Sequence, residues 1–275
     1  NDTYSCQIIY SDEGATQGDV AAMAEYAIGI RPLINILASV TKLGELMQAW
    51  YADDSAAAGT LKKLQEWWDL LSVNGPKLGY FPKAVKTILI LKEKSLLPAA
   101  KLLFGDTGIE ITCDGERHLG AVIGREDARE TYVKKKVEKW VKDVEELSEI
   151  ALDEPQAALS GYTKALCHRW TFVMRTIQDT KDLFIPLEKC IREKFVPAII
   201  GRNVSDLHRR MLALPVRLGG LGIVNPVEIA EKEYQTSLKI TEELVDLIYR
   251  QETSLVKLDK TKIKGRVGHS LKVVK

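Results

Sequence analysis

The sequence predicts an α+β protein in which strands and helices are mixed in the first part and helices alone form the second. Three observations predict this class. Two short apolar runs flank an Asp-Asp pair near residue 53, β-branched apolar runs recur as far as residue 124, and every apolar pattern from about residue 126 has helical spacing. With 275 residues, the chain has the length of about two domains.

The composition is that of a globular protein and excludes several other classes. Hydrophobic residues make up 45% and charged residues 28%, and 39 Lys and Arg against 38 Asp and Glu leave a net charge of +1. These values exclude collagen-like, disordered and disulfide-scaffold proteins, and also a strongly basic nucleic-acid coat protein. The four cysteines form no C-x-x-C pair, which predicts reduced thiols in an intracellular protein. No secretion signal and no apolar window of about 18 residues is present, so neither secretion nor a membrane span is expected.

The first elements are a helix and an acidic hairpin. Apolar residues recur at helical spacing over 20–38, and Pro32 is expected to bend or interrupt that helix. The apolar runs 45–51 and 55–58 predict two strands with the Asp-Asp pair at the turn between them.

The next elements are a helix, a strand and a second hairpin. Apolar and aromatic residues from Leu61 to Leu71 predict an amphipathic helix that ends at Asn74. The β-branched run 85–91 predicts a buried strand. The runs 109–113 and 118–123, joined through Asp114-Gly115, predict a hairpin.

From residue 126 the pattern is helical throughout. One long packed helix is predicted by the 4-3-4-3-4 spacing of Val133, Val137, Trp140, Val144, Leu147 and Ala151. Further helices are predicted at about 155–176, 181–196, 204–213 and 227–252, with a Gly-rich loop at 219–222. Residues 255–275 carry a surplus of Lys and Arg and are expected to be mobile.

Four motifs occur in one order along the chain. Glu-Gly-Ala-Thr-Gln-Gly-Asp at 13–19 is followed by Tyr-Ala-Asp-Asp at 51–54, by the stretch 79–87 and by Arg-His-Leu-Gly-Ala-Val-Ile-Gly at 117–124. This series resembles motifs B, C, D and E of the reverse transcriptase palm of non-LTR retrotransposons and related elements. The stretch 214–223 is similar to the Gly-Gly-Leu-Gly segment that follows the thumb in many of these elements.

The resemblance implies three regions. Residues 1–125 would be a partial polymerase palm, a ferredoxin-like antiparallel sheet with helices. Residues 126–226 would be an all-helical thumb or connection region, and 227–275 a helix with a basic tail.

The resemblance also implies roles for residues near the acidic turn. Asp53 would be a metal ligand and Asp54 a second, weaker one, while Tyr51 would pack beneath the primer terminus. Gln17 and Gly18 would lie against the incoming nucleotide and the template.

Further roles fall on the later motifs. Lys86 would stabilise the charge that develops on the leaving pyrophosphate. The primer-grip hairpin would include Arg117, His118, Leu119 and Gly120.

The partners implied by the resemblance are an RNA template, a DNA primer and deoxynucleoside triphosphates, with two Mg²⁺ ions, or Mn²⁺, as cofactors. Lys134, Lys135 and Lys139 on the long helix would follow the nucleic-acid backbone. The nucleus is a compartment that fits these partners.

A polymerase palm of this type also needs a further Asp on a strand, followed by a crossover helix, before motif B. A crossover takes about a dozen residues or more, and the chain has no room for one before Gly14. A missing fingers and palm segment is therefore an expected partner, and the chain alone is expected to be inactive or nearly so.

Other interpretations stay open for each feature. Charged residues at a turn, on a helix or at a strand end are commonly just solvated, and this applies to the Asp-Asp pair, the lysine helix and Lys86. His118 can be structural, and Gln17-Gly18-Asp19 can be a helix cap. Two alternatives to the enzyme follow: a retroelement-derived remnant that binds nucleic acid without catalysis, and a palm-like fragment with a purely structural role.

Overall fold

The structure is a computed structural model that describes residues 19–251 and Gly265. The described chain divides into two compact units, one containing residues up to 83 together with 248–251, and the other containing 84–247. Strands occur only before residue 125 in the described part, and helices occur throughout. The predicted α+β class is therefore confirmed. Gln17, Gly18 and the basic tail lie outside the described residues, apart from Gly265 in the tail.

The first unit is built from a helix, a hairpin and a second helix. In chain order these elements are α1 (Ala22–Leu37), β1 (Leu46–Tyr51), β2 (Asp54–Gly59) and α2 (Leu61–Asn74). The predicted hairpin is confirmed, since β1 pairs with β2 in antiparallel register from Leu46 opposite Gly59 to Tyr51 opposite Asp54. Of the acidic pair that was expected at the turn, only Asp53 is a turn residue, because Asp54 is already the first residue of β2. Pro32 does not interrupt α1, because Ile30, Leu33 and Leu37 bury one apolar face on both sides of it.

Gln48 joins the elements of this unit beneath the hairpin. Its buried side-chain oxygen Oε1 accepts hydrogen bonds of 3.1 Å from the indole N–H groups of Trp50 and Trp67, and its Nε2 donates to the carbonyl of Ile34. The side chain therefore connects β1 to both helices. The apolar core around it consists of Ile30, Leu33, Leu37, Leu46, Trp67 and Leu71.

The second unit begins with short strands. Its elements up to residue 124 are β3 (Ile88–Ile90), α3 (Leu97–Phe104), β4 (Glu110–Thr112), β5 (Gly115–His118) and β6 (Ala121–Gly124). The predicted strand at 85–91 is shorter than expected, because Ala84–Lys86 forms a 3₁₀ turn and Val85 is exposed.

The prediction of a hairpin between 109–113 and 118–123 is wrong in its pairing. β4 pairs in parallel with β3, and β5 pairs with β6 around a two-residue turn. The turn falls at Leu119 and Gly120 because both adopt left-handed φ angles, 48° and 84°, as tight hairpin turns require.

The ferredoxin-like antiparallel sheet is not formed by the described residues. They contain three separate two-stranded sheets, β1–β2, β3–β4 and β5–β6, the second of which is parallel. α3 lies in the connection between β3 and β4, and a crossover of this kind permits parallel pairing.

Helices form the rest of the second unit. They are α4 (Glu126–Asp153), α5 (Pro155–Gly161), α6 (His168–Thr176), α7 (Ile185–Cys190), α8 (Val196–Ile200), α9 (Asp206–Ala213) and α10 (Pro226–Tyr249), the last of which ends in the first unit. The helices predicted at 155–176 and 181–196 each contain a π-helical segment, Tyr162–Leu166 and Ile191–Phe195.

The core of this unit is aromatic and centres on α4. The predicted stripe is buried at every position except Leu147, which is half-buried. Trp140 packs edge-on to Trp170 and parallel to Phe184, and Tyr162 stacks on Phe195 with ring centroids 4.7 Å apart. No helix in the described part of the chain is long and apolar enough to span a membrane.

Candidate functional site

The acidic turn between β1 and β2 is the candidate site of the first unit. Tyr51 and Asp54 form the last pair of the ladder, so Ala52 and Asp53 are the two turn residues. Asp53, Asp54 and Tyr51 are all exposed, and the Tyr51 side chain has 67% of its surface accessible. Ala52 adopts a left-handed φ of 52°, a conformation that concentrates at functional turns.

This turn carries hard oxygen donors of the kind that Mg²⁺ binds. Mg²⁺ usually takes one or two carboxylates and fills its remaining positions with waters and substrate phosphates. Asp53 and Asp54 supply two adjacent carboxylates, which fit that pattern. No group of three or more His, Cys, Asp or Glu side chains that could hold a metal occurs within the described residues, so these two would bind an ion only together with other ligands.

A tyrosine far along the chain contacts the acidic turn. The hydroxyl of Tyr80 lies 3.0 Å from the carbonyl oxygen of Asp53 and 3.0 Å from Oγ of Ser55. Burial raises the pKa of Tyr26 on α1, and the charges of Tyr80 and Asp53 raise it further. The aromatic hydroxyl that contacts the turn directly is that of Tyr80.

The predicted primer-grip residues lie together on the β5–β6 hairpin of the second unit. Arg117 and Leu119 are exposed, whereas His118 and Gly120 are half-buried. Tyr132 on α4 donates a 2.7 Å hydrogen bond from its hydroxyl to the carbonyl of Gly120, which attaches the hairpin turn to the long helix.

The α4 lysines form a polar face that begins next to this hairpin. Lys134, Lys135 and Lys139 are exposed, and Lys134 forms an ion pair of 2.8 Å with Glu130. The half-buried Lys136 places its ammonium group 5.6 Å from the centre of the Tyr132 ring. Exposed cations on one helix are sufficient to contact phosphates, although such faces are also common on solvated helices.

Lys86 lies in the 3₁₀ turn Ala84–Lys86 of the second unit, and its side chain is exposed. Asp53 and Asp54 belong to the first unit, so the acidic turn and Lys86 lie in different units.

The cysteines that the structure describes, Cys113, Cys167 and Cys190, are free thiols, and Cys6 lies outside the described residues. Burial raises the pKa of Cys190 to about 11, which keeps it protonated and unreactive.

Sequence reasoning did not assign roles to Tyr80, Tyr132 or Ser55. Tyr80 lies inside the stretch that resembles motif D, but nothing in its spacing indicates a contact with a turn 27 residues earlier. Comparison of the chain with protein-family models, curated proteins and solved structures gave no match.

Proposed function

We propose that the chain is part of a reverse transcriptase-like polymerase and that Asp53 and Asp54 bind the divalent ions of nucleotidyl transfer. The observation that carries the proposal is the strand–turn–strand at Tyr-Ala-Asp-Asp, with both carboxylates exposed at its end. Two acidic residues on an irregular loop would have no paired strands on either side of them. The hairpin instead fixes the backbone on both sides of the two carboxylates.

The order of the later elements supports the same proposal. A second tight hairpin, β5–β6, ends at Gly124, and the 28-residue helix α4 begins at Glu126. The resemblance implies a primer-grip hairpin followed by a helical thumb, and this succession matches that order along the chain.

In the complete protein, a primer 3′-hydroxyl would attack the α-phosphorus of a deoxynucleoside triphosphate on an RNA template, and pyrophosphate would leave. Bound Mg²⁺ or Mn²⁺ supplies Lewis-acid stabilisation of the attacking and leaving oxygens. Asp53 and Asp54 would hold the ions, and Tyr51 would contact the primer terminus. The preceding fingers and palm segment is a proposed partner, and the nucleus is the proposed compartment.

Mn²⁺ binding followed by electron paramagnetic resonance tests the metal assignment. We expect the chain to bind Mn²⁺, and the variant Asp53→Asn/Asp54→Asn to lose this binding. Asp69→Asn/Asp106→Asn is the matched control, because it removes the same charge from two exposed carboxylates elsewhere. Equal Mn²⁺ affinity in the two double variants would reject the assignment.

A nucleic-acid-binding remnant is the second candidate, favoured by the exposed lysines of α4. It predicts salt-dependent binding to a primer–template duplex that is unchanged in Asp53→Asn/Asp54→Asn, because the affinity would come from phosphate contacts. The polymerase proposal instead predicts that Mg²⁺ strengthens binding of primer–template with a matching deoxynucleoside triphosphate, and that the same variant removes this Mg²⁺ effect.

A further inference from the structure

The conformation of the acidic turn requires stabilising contacts. Ala52 adopts a left-handed φ of 52°, which costs a residue with a Cβ about 1 kcal/mol or more. The preferred residues for such turns are Gly, Asn and Asp, because they tolerate this conformation. The sequence of the turn therefore favours its conformation only weakly, and contacts from outside the hairpin must contribute.

Tyr80 makes those contacts. Its hydroxyl has a single proton, which it donates to the carbonyl oxygen of Asp53 over 3.0 Å. The hydroxyl of Ser55 can then donate to the Tyr80 oxygen, also over 3.0 Å. One tyrosine thus binds the backbone between Asp53 and Asp54 on one side and the first residue beyond them on the other.

The ring of Tyr80 is fixed as well as its hydroxyl. It packs edge-on against Trp50 of β1, with ring centroids 5.4 Å apart and planes at 67°. The indole N–H of Trp50 is itself held by buried Gln48. The tyrosine is therefore oriented by β1 of the same hairpin whose turn it holds.

The chain reversal that follows α2 positions Tyr80 beside the acidic turn. After the 3₁₀ turn Pro76–Leu78, Gly79 adopts a left-handed φ of 78° and reverses the chain. The backbone N–H of Tyr80 then donates to the carbonyl of Gly75 over 2.9 Å. A Cβ on Gly75 would come within 2.6 Å of the Tyr80 carbonyl oxygen, so the two backbones approach as closely as glycine allows.

We propose that Tyr80 is a positioning residue of the acidic turn: by holding the peptide that links Asp53 to Asp54, it fixes the two carboxylates as one ligand pair. The part of this inference that concerns a cation rests on the proposed function. The part that concerns the turn rests on the hydrogen bonds alone.

Amide hydrogen exchange in the metal-free chain tests the positioning role. Tyr80→Phe removes only the hydroxyl and keeps the ring against Trp50. A hydrogen bond of this kind is worth about 1 kcal/mol, so exchange of the amides from Asp53 to Ser55 should be about fivefold faster in this variant. Tyr249→Phe, which alters an exposed tyrosine of the same unit, should leave these rates unchanged.

Mn²⁺ affinity is the second readout. Tyr80→Phe keeps both carboxylates and should weaken Mn²⁺ binding about fivefold through loss of their fixed geometry. Unchanged exchange at the turn in Tyr80→Phe would overturn the inference whatever the metal result. If exchange accelerates but the unaltered chain binds no Mn²⁺, the positioning role of Tyr80 stands and the proposed function fails. Faster exchange with unchanged Mn²⁺ affinity would reject the link between the turn geometry and the ligand pair.

Discussion

In the second unit, one buried tyrosine both stabilises and destabilises the folded state. Tyr162 is fully buried and stacks on Phe195, yet its hydroxyl finds no hydrogen-bond partner among the described residues. Burying an unpaired hydroxyl costs about 1–3 kcal/mol. Tyr162 therefore contributes through its ring, while its hydroxyl opposes folding.

We predict that Tyr162→Phe raises the free energy of unfolding by about 1 kcal/mol at pH 7, because the ring packing remains and the unpaired hydroxyl is removed. Urea denaturation measures the change. A loss of stability in this variant would mean that the hydroxyl is bonded in solution.

The same residue gives a prediction for alkaline pH. Burial raises the pKa of Tyr162 well above its ordinary value of 10.0. The folded protein thus keeps the hydroxyl protonated where the unfolded chain ionises. Ionisation of the unfolded chain has little effect on the free energy of unfolding below about pH 10 and lowers it as the pH rises further. The stability difference between Tyr162→Phe and the unaltered chain should widen from pH 9.5 to 11 (roughly the window set by an unfolded pKa near 10). A constant difference would contradict this, and Tyr249→Phe serves as the control.

At the scale of elements, the β5–β6 hairpin depends on α4 and α6. Tyr132 bonds the Gly120 carbonyl, and a Cβ on Gly120 would come within 3.3 Å of the Phe172 ring. We predict that Tyr132→Phe lowers the local stability of the hairpin by about 1 kcal/mol, and that Gly120→Ala lowers it more, since its φ of 84° also disfavours a Cβ. Amide exchange over 115–124 measures both effects, and protection equal to that of the unaltered chain would show that the turn is stable without them.

A buried ion pair connects α7, α9 and the loop after the Gly-rich segment. Arg209 is 4% exposed and contacts both carboxylate oxygens of Glu188 at 2.8 and 2.7 Å, and it also donates to the carbonyl of Ile223. Burial raises the pKa of Glu188, while the guanidinium of Arg209 lowers it in part. The guanidinium therefore opposes the effect of burial on this carboxyl group.

We predict that Arg209→Met costs about 3–5 kcal/mol, because it leaves an unpaired buried carboxylate, and that Arg209→Met/Glu188→Leu recovers most of this loss. Without Arg209 the pKa of Glu188 rises further, so the deficit of the single variant should grow as the pH increases from 4 to 7 (roughly the range above its usual pKa). Denaturation of the two single variants and the double variant forms the test cycle. Additive losses in the double variant would show that the two side chains act independently.

At the scale of the whole molecule, the net charge is near neutral although positive and negative side chains are separated along α4. The lysines of α4 are concentrated early in that helix, while Glu145, Glu146 and Glu149 follow late. If the early face binds phosphates, Lys135→Gln/Lys139→Gln should lower the slope of log affinity against log salt for a primer–template duplex by about 1 for each lysine that neutralises a phosphate. Lys181→Gln/Lys189→Gln, an equal charge change elsewhere in the second unit, should leave the slope unchanged. The face carries no nucleic-acid role if the two double variants behave alike.

Local patterns in the sequence were sufficient for part of the fold. The acidic hairpin, α2 and the buried stripe of α4 follow from short-range apolar spacing and are confirmed. The second hairpin was assigned to the wrong turn, because Asp114-Gly115 has the composition of a turn while Leu119 does not. The contact between Tyr80 and Asp53 also could not be read from spacing, because side chains far apart in the chain meet only after folding.

Cleavage of the chain by hydroxyl radicals from Fe²⁺ tests most directly whether the Asp53–Asp54 turn is a divalent metal site. Fe²⁺ that replaces Mg²⁺ at a site generates radicals in the presence of ascorbate and peroxide, and these cut the nearest backbone. We predict cleavage beside residues 51–55 that excess Mg²⁺ suppresses and that Asp53→Asn/Asp54→Asn abolishes, while Asp69→Asn/Asp106→Asn leaves it intact. Cleavage that is absent from this turn, or that is unchanged when both of its carboxylates are removed, would contradict the proposed metal site.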